Sequence, residues 1–253
     1  MKIDFSKYSS VRIGGIFDVE VLDEMREFDG VIIGGANNLL ISPNPPKMGI
    51  LGSEFDYIKL ENGVLKIGAK TPSSKIYKFT KDNNIGGFEF IKKIPGTLGG
   101  MIKMNAGVKE YEISNLLLNI TTSKGVTLAN ECGFSYRHSN IDGVIFEASF
   151  KIIREFDEAL SNKLNQKRSN QPKGASFGSC FANPAGDHAG RLLEAAGMKG
   201  YRIGGCGFSE IHANFLINYG SGSFNDAIEL INLAKNRVAE LFGIELRCEV
   251  VIL

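Results

Sequence analysis

Three polar residues could carry chemistry. Arg137 lies in Phe134-Ser135-Tyr136-Arg137-His138-Ser139, crowded by aromatic rings. Its planar fork of donors suits a carboxylate, although a surface arginine lying over a ring satisfies the same pattern. Ser179 lies in Gly174-Ala175-Ser176-Phe177-Gly178-Ser179-Cys180-Phe181-Ala182-Asn183-Pro184. The small residues around it would let a hydroxyl approach a ligand closely; a turn serine is the plainer alternative. The hydrolase elbow G-x-S-x-G is absent from this segment. Glu249 sits in Leu246-Arg247-Cys248-Glu249-Val250-Val251-Ile252-Leu253, alternating with an apolar face. It either points into a site or lines the wet face of an edge strand. Cys132, Cys180, Cys206 and Cys248 are scattered, as are His138, His188 and His212, and neither set has metal-ligand spacing. Reduced, buried or incidental thiols are expected.

Two glycine-rich stretches complete the inventory. Ile94-Pro95-Gly96-Thr97-Leu98-Gly99-Gly100-Met101-Ile102-Lys103-Met104-Asn105-Ala106-Gly107 carries little charge and many residues without side-chain bulk. Glycine loses more backbone freedom on folding than any other residue, so it marks positive φ or close backbone approach. Such turns either join strands tightly or present backbone N–H groups to an anion. Val31-Ile32-Ile33-Gly34-Gly35-Ala36-Asn37-Asn38-Leu39-Leu40-Ile41 has the outline of a strand, a phosphate loop and a buried segment. Neither stretch is a G-x-G-x-x-G dinucleotide fingerprint or a phosphate-binding P-loop. The commonest nucleotide folds are thereby disfavoured.

The elements that must position these residues follow from periodicity. Phe17–Leu22 alternates as a half-buried strand. Tyr57–Leu60 and Val64–Ile67 flank Asn62-Gly63, a hairpin signal. Thr71 and Pro72 open a helix, Thr71 as cap and Pro72 in the first turn, burying Ile76 and Phe79 and stopping by Gly86-Gly87. Leu116–Thr122 and Val126–Leu128 form a second hairpin across Lys124-Gly125. Val144, Phe146, Ala148, Phe150 and Ile152 line one face of a strand. Helices follow at 157–167, at 187–196 closed by Gly197, and from Asn225 as cap to Gly243, before a terminal strand over 246–253.

The chain has 253 residues, is 43% hydrophobic and 23% charged, and carries a formal net charge of +1. That profile suits a globular protein of one to three domains. Near-neutral charge removes the general attraction that nucleic-acid binding relies on. No apolar run approaches membrane-spanning length, and the mixed charges of Met1–Lys7 give no secretory signal. A cytoplasmic protein without nucleic-acid or membrane partners is expected.

In these motifs the chain resembles the UDP-N-acetylenolpyruvoylglucosamine reductases, also called UDP-N-acetylmuramate dehydrogenases. Ile33–Leu40 looks like that family's flavin loop, and Ile94–Gly107 is similar to its Ile-Pro-Gly-x-x-Gly-Gly…Met-Asn-Ala-Gly motif. Tyr136-Arg137-His138-Ser139, Gln171-Pro172, Gly178–Pro184, His212–Asn218 and Glu249-Val250 match further family motifs, in the family's order and over almost the whole chain. The likeness is to the shorter members, which lack a substrate-covering insertion. It implies an α+β protein: an FAD-binding fold of two α/β subdomains, like that of p-cresol methylhydroxylase and vanillyl-alcohol oxidase, with FAD held between them. A C-terminal α/β substrate-binding subdomain completes it. The implied bounds are 1–52 and 53–153 for the FAD subdomains and 154–245 for the substrate domain, with strand 246–253 able to return to the first.

The resemblance also implies a reaction. NADPH reduces FAD, and reduced flavin reduces the enolpyruvyl ether of UDP-N-acetylenolpyruvoylglucosamine to UDP-N-acetylmuramate, a peptidoglycan precursor. Arg137 and Glu249 would assist at the substrate carboxylate, and Ser179 would supply the proton. Gly34, Gly35, Ala36, Asn37, Asn38, Leu39, Pro95, Gly96, Thr97, Gly99, Gly100, Asn105, Ala106 and Gly107 would lie along FAD, the glycines because side chains would collide with it. Asn183 would face the substrate diphosphate. No metal is implied, and a monomer is expected. The chain departs from the family at Asn37, where a loop serine is usual, and at Ala182 and Asn170, where lysines are usual. Lys167, Arg168 or Lys173 could instead provide the phosphate-binding cation. Val108-Lys109-Glu110-Tyr111 replaces the family's Ala-Tyr-Gly. The alternatives are another FAD oxidoreductase on the same scaffold, or a nucleotide-binding module without turnover.

Overall fold

A computed structural model describes residues 1–152, 154–166 and 171–253. Lys167, Arg168 and Asn170 lie outside the described residues. The chain forms two compact units, each with its own apolar core. One unit comprises Met1, Val19–Gly35 and Lys47–Ser169; the other comprises Lys2–Asp18, Ala36–Pro46 and Asn170–Leu253. This division by compactness cuts across the 1–52 segment, whose residues fall in both units.

The first unit is built on a five-stranded antiparallel sheet. Its order is Gly125–Leu128, Leu117–Thr122, Ile145–Lys151, Val64–Gly68, Ile58–Glu61. The Asn62-Gly63 hairpin forms as its sequence predicts: both residues have positive φ (50° and 74°), and Glu61 pairs with Val64. That is the twist a two-residue hairpin loop requires. The central strand Ile145–Lys151 is buried on both faces, since Ile145 and Ser149 are buried beside Phe146, Ala148 and Phe150. Parallel pairing of Val19–Leu22 and Val31–Ile32 with Met48–Leu51 adds a smaller sheet.

Among the described residues this unit holds the helices Ser73–Asp82, Leu98–Lys103 and Glu158–Gln166. Thr71 does not cap the first. Its hydroxyl donates to the Tyr57 carbonyl (3.0 Å), and Pro72 precedes the helix with no side-chain cap. A half-buried residue's carbonyl claims the hydroxyl that the sequence assigns to the cap. Thr80 and Ile76 are fully buried on this helix, while Phe79 is half-buried. The glycine segment is not a chain of turns; Leu98–Lys103 is a short helix burying Leu98, Met101 and Ile102.

Glu89 is a buried charge in this unit, at 1% exposure. Arg154 grips it with both terminal nitrogens (2.8 and 3.0 Å), and the backbone N–H groups of Gly87 and Asp157 donate to it at 2.8 Å each. This knot fixes the 3-10 turn Glu89–Lys93, which leads directly into Ile94-Pro95-Gly96.

The second unit holds an antiparallel sheet ordered Ala175–Ser179, Phe215–Asn218, Cys206–Phe208, Arg202–Ile203. The helices Ala189–Ala195 and Phe224–Phe242 pack into its core, Phe224–Phe242 through Ala227, Leu230, Ile231, Ala234 and Val238. Leu241, one turn beyond Val238 on the same face, is 61% exposed, because the helix has run beyond the core by its last turn. Ser223 caps this helix, not Asn225. Its hydroxyl accepts from the Asp226 N–H (3.1 Å) while Asp226 accepts from the Ser223 N–H (3.0 Å), a reciprocal box that satisfies two orphan donors. Gly243 closes it at φ 66°, as the sequence predicts.

The expected terminal strand over 246–253 is shorter than its alternation suggests. Cys248 bridges to Phe181, and only Val251–Ile252 continues as a strand, parallel to Leu39–Leu40. Two successive partners divide the segment. Leu246 and Val250 are buried and Cys248 half-buried, whereas Ile252 is 40% exposed. Among the described residues no helix is long and apolar enough to cross a membrane.

Candidate functional site

In the first unit the two glycine stretches touch. A Cβ on Gly34 would lie 2.6 Å from Thr97 Oγ1, so only glycine permits this approach. Along the second stretch the protein's own packing explains most of the glycines. Gly96 has φ 111°; a Cβ on Gly99 would press on Ala69 at 3.2 Å; one on Gly107 would strike the Tyr111 carbonyl. At Gly100 the nearest atom to an added Cβ would be Thr97 Oγ1 at 3.9 Å, an ordinary contact that a side chain could make without strain. Gly100 is the glycine of this stretch that the protein's own packing does not account for.

Arg137 has both expected features at once. Its guanidinium lies 4.9 Å from the Tyr136 ring centroid, and it also donates to the Gly107 carbonyl (2.9 Å) and toward the Asn105 carbonyl (3.4 Å). It is half-buried and holds positive φ (55°), a conformation that is unfavourable for a side-chain-bearing residue. The loop carrying it is stitched to the glycine segment: Asn105 Nδ2 donates to the Ser135 carbonyl (3.2 Å) and to Glu112 (2.8 Å), and Ser139 donates to the Lys103 carbonyl (2.9 Å). Asn105 is 1% exposed with φ 40°, and its Oδ1 is buried with no hydrogen-bond partner. Buried polar atoms are almost always paired, so such an acceptor is informative. Val108-Lys109-Glu110-Tyr111 makes a tight hairpin beside it, with Lys109 at φ 57°.

In the second unit Ser179 and Glu249 are joined through one residue. The Cys180 carbonyl accepts from the Glu249 N–H at 2.9 Å. Ser179 ends its strand opposite Phe215, immediately after a register shift, and Gly178 at φ 86° makes that bulge. An added Cβ on Gly178 would meet nothing within 4 Å, so backbone conformation rather than space requires glycine beside Ser179. Ser179 and Glu249 are both half-buried. Asn38 Nδ2 donates to the Glu249 carbonyl (2.9 Å), and the Asn38 carbonyl accepts from Val251 (3.0 Å). Asn37 accepts at its carbonyl from the Ser10 hydroxyl (3.1 Å), and Ala36, buried, has φ 46°. Leu39 pairs with Val251.

Asn183 is exposed, and its Oδ1 accepts from the Ala189 N–H (3.0 Å), capping the following helix. Lys173 is exposed. Ala182 is buried in the core, where a charged lysine head would have to escape to water.

The thiols are held neutral. Burial pushes Cys180 well above its ordinary value, with the neighbouring Cys248 and Glu249 adding to the shift. Burial also raises Cys132 and Cys248, and carries Cys206 to about 12. Burial holds His212 below its ordinary value; its Nδ1 accepts from the Asn214 N–H at 3.2 Å. No metal-binding cluster exists among the described residues.

Asn214 is the functional candidate that residue-type reasoning passes over, since it stands in the sequence only as part of a motif. It is 4% exposed. Its side chain accepts from the Phe181 N–H (2.9 Å) and donates to the Phe181 carbonyl (2.8 Å), and its own carbonyl accepts from the Cys180 N–H (2.7 Å). A polar residue directly before the apolar run Phe215–Ile217 is the signal that could have found it.

Comparison with known proteins converges on one family. The family model described as UDP-N-acetylenolpyruvoylglucosamine reductase, C-terminal domain, matches residues 170–253. A UDP-N-acetylenolpyruvoylglucosamine reductase of Campylobacter jejuni (strain RM1221) is 53% identical over 258 residues, covering 100% of both chains. The reductase of Helicobacter hepaticus is 46% identical, covering 99% of this chain and 98% of its own. The crystal structure of UDP-N-acetylenolpyruvylglucosamine reductase from Thermus caldophilus superimposes with a TM-score of 0.87 at 27% identity, over 100% of this chain and 98% of that one.

Proposed function

Since the chain belongs to the UDP-N-acetylenolpyruvoylglucosamine reductase family, we propose that it is an NADPH-dependent flavoenzyme that reduces the enolpyruvyl ether of UDP-N-acetylenolpyruvoylglucosamine to UDP-N-acetylmuramate. FAD, when bound, would supply the hydride that it receives from NADPH.

Gly34, Gly35, Ala36, Asn37, Asn38, Leu39, Pro95, Gly96, Thr97, Gly99, Gly100, Asn105, Ala106 and Gly107 are the residues that would hold it. Two features support the fit. The orphaned Asn105 Oδ1 is an acceptor in want of a donor, and an added Cβ at Gly100 would meet the protein only at an ordinary contact distance, 3.9 Å from Thr97 Oγ1. The protein's own residues then act on the substrate. Hydride addition to the terminal alkene carbon sends negative charge toward the carboxylate. Preorganised donors act best where charge develops, and Arg137 and Glu249 take that role. Arg137 does so as a fixed cation. Ser179 delivers the proton to the other alkene carbon. A serine hydroxyl is a weak acid, but the carbon it protonates belongs to a strong base, so placement matters more than acidity. Asn183 meets the substrate's diphosphate.

The observation that carries this reading is the single-residue link between Ser179 and Glu249 through Cys180. Its test is a single turnover. Protein reduced by NADPH without oxygen is mixed with UDP-N-acetylenolpyruvoylglucosamine, and flavin absorbance is followed. The parent is reoxidised rapidly. In Ser179→Ala, reduction by NADPH is unchanged and reoxidation slows by about 10²-fold or more, the usual scale for a lost proton donor. A normal reoxidation rate in that variant removes Ser179 from the role; a protein that takes up no FAD removes the whole reading.

A further inference from the structure

We infer that Asn214 is a positioning residue that aims the Ser179 hydroxyl by completing a strand ladder with its side chain. The inference rests on the reading that Ser179 is the proton donor.

The strand Ala175–Ser179 pairs with Phe215–Asn218 at Ala175 and Ser176, and again at Ser179 opposite Phe215. Between Ser176 and Ser179 the register shifts, and Gly178 leaves the ordinary strand conformation at φ 86°. A bulge re-aims a side chain but also releases it from the ladder. Ser179 thus follows a break in the ladder that is bridged upstream by the Ser176 hydroxyl, which accepts from the Gly178 N–H at 3.1 Å. The downstream side, at Cys180 and Phe181, has to be fixed as well.

Asn214 does so. Its carboxamide offers one acceptor and one donor, and both engage Phe181: the oxygen takes the N–H at 2.9 Å and the nitrogen gives to the carbonyl at 2.8 Å. The side chain therefore pairs with Phe181 as a strand neighbour's backbone would. Its own carbonyl takes the Cys180 N–H at 2.7 Å, so three bonds lock the two residues after Ser179. Phe181 is 1% exposed and Asn214 4%, so water cannot substitute for either bond. The remaining backbone group of Cys180, its carbonyl, accepts from the N–H groups of Glu249 (2.9 Å) and Val250 (3.4 Å). Both backbone groups of Cys180 are thereby committed, and the Ser179–Glu249 spacing is set by a segment that Asn214 clamps. No other neutral side chain of this size carries both a donor and an acceptor at these positions.

The test compares two half-reactions in four proteins: parent, Asn214→Ala, Ser179→Ala and the double variant. Asn214→Ala should bind FAD and be reduced by NADPH at the parental rate. Its reoxidation by UDP-N-acetylenolpyruvoylglucosamine should fall about 10²-fold, the scale of a roughly 1 Å misplacement. Because Asn214 acts through Ser179, the double variant should be no slower than Ser179→Ala alone. The inference is overturned if Asn214→Ala reoxidises at the parental rate, if both half-reactions slow equally, or if the double variant loses the product of the two single effects. If Asn214→Ala does not accumulate folded, Asn214→Ser is measured by the same criteria. A parent whose flavin is not reoxidised by the substrate removes the functional reading itself; a parent that turns over beside an unimpaired Asn214→Ala removes only this inference.

Discussion

Arg154→Ala tests how the glycine segment is anchored. Glu89 is 1% exposed, whereas the Arg154 side chain is 35% exposed and reaches it from the surface. Removing one partner of a buried ion pair costs about 3–5 kcal/mol, because a charge is left buried and uncompensated. Here two backbone donors, from Gly87 and Asp157, stay on the carboxylate. The arginine is also partly hydrated, so its own desolvation is incomplete. Both points place the loss at the low end, about 3 kcal/mol. For a chain of this size that corresponds to a melting temperature lower by about 6–12 °C. Adding Glu89→Gln to Arg154→Ala removes the charge while keeping an acceptor for the backbone, and should restore at least about 1 kcal/mol. Urea titration and calorimetry of the single and double variants measure both quantities. The reasoning fails if Arg154→Ala lies within about 0.5 kcal/mol of the parent, or if the double variant is no more stable than Arg154→Ala; such small effects are typical of exposed pairs.

Gly178→Ala should cost about 1–2 kcal/mol by denaturant titration, from left-handed backbone alone, since its Cβ meets nothing within 4 Å; Gly68→Ala, whose Cβ would strike the Phe55 carbonyl, should lose far more. His212 is held neutral by burial, so the unfolded chain takes up its proton first as pH falls. Its contribution is present above the ordinary histidine value near 6.5 and is lost on acidification below it, which urea midpoints from pH 7.5 to 5 will record and His212→Gln should flatten.

The local signals in the sequence were the legible ones. Asn62-Gly63 specified its hairpin because only residues tolerant of positive φ make that turn. Gly243 and Gly197 ended their helices for the same reason. The failures involved competition between local and distant partners. Thr71 can cap a helix, but the Tyr57 carbonyl takes its hydroxyl. The stretch 246–253 alternates like one strand, but Phe181 and Leu39 divide it. Arg137 and the glycine segment were each visible by residue type, yet their contact joins positions 30 residues apart. Asn214 and Phe181 are 33 apart, and Glu89 and Arg154 are 65 apart. No periodicity connects such pairs, so only the folded backbone reveals that they share bonds.

The interleaving of the two units has a consequence for synthesis. Asn38 and the Glu249 carbonyl it holds are 211 residues apart. At about 5–20 residues per second, the segment containing Asn38 waits about 10–40 s for that partner to be made. Residues 19–35 and 47–169 are complete long before, so the first unit can close while Val11, Ile13 and Leu40 still lack the core that later buries them. Closing so long a loop costs about 3 kcal/mol more than closing a ten-residue one, and the rate of that step falls as contacts become more distant. The second unit is thus the late-folding half of the molecule. The interval in which its early segments stand exposed on the nascent chain is set by translation speed.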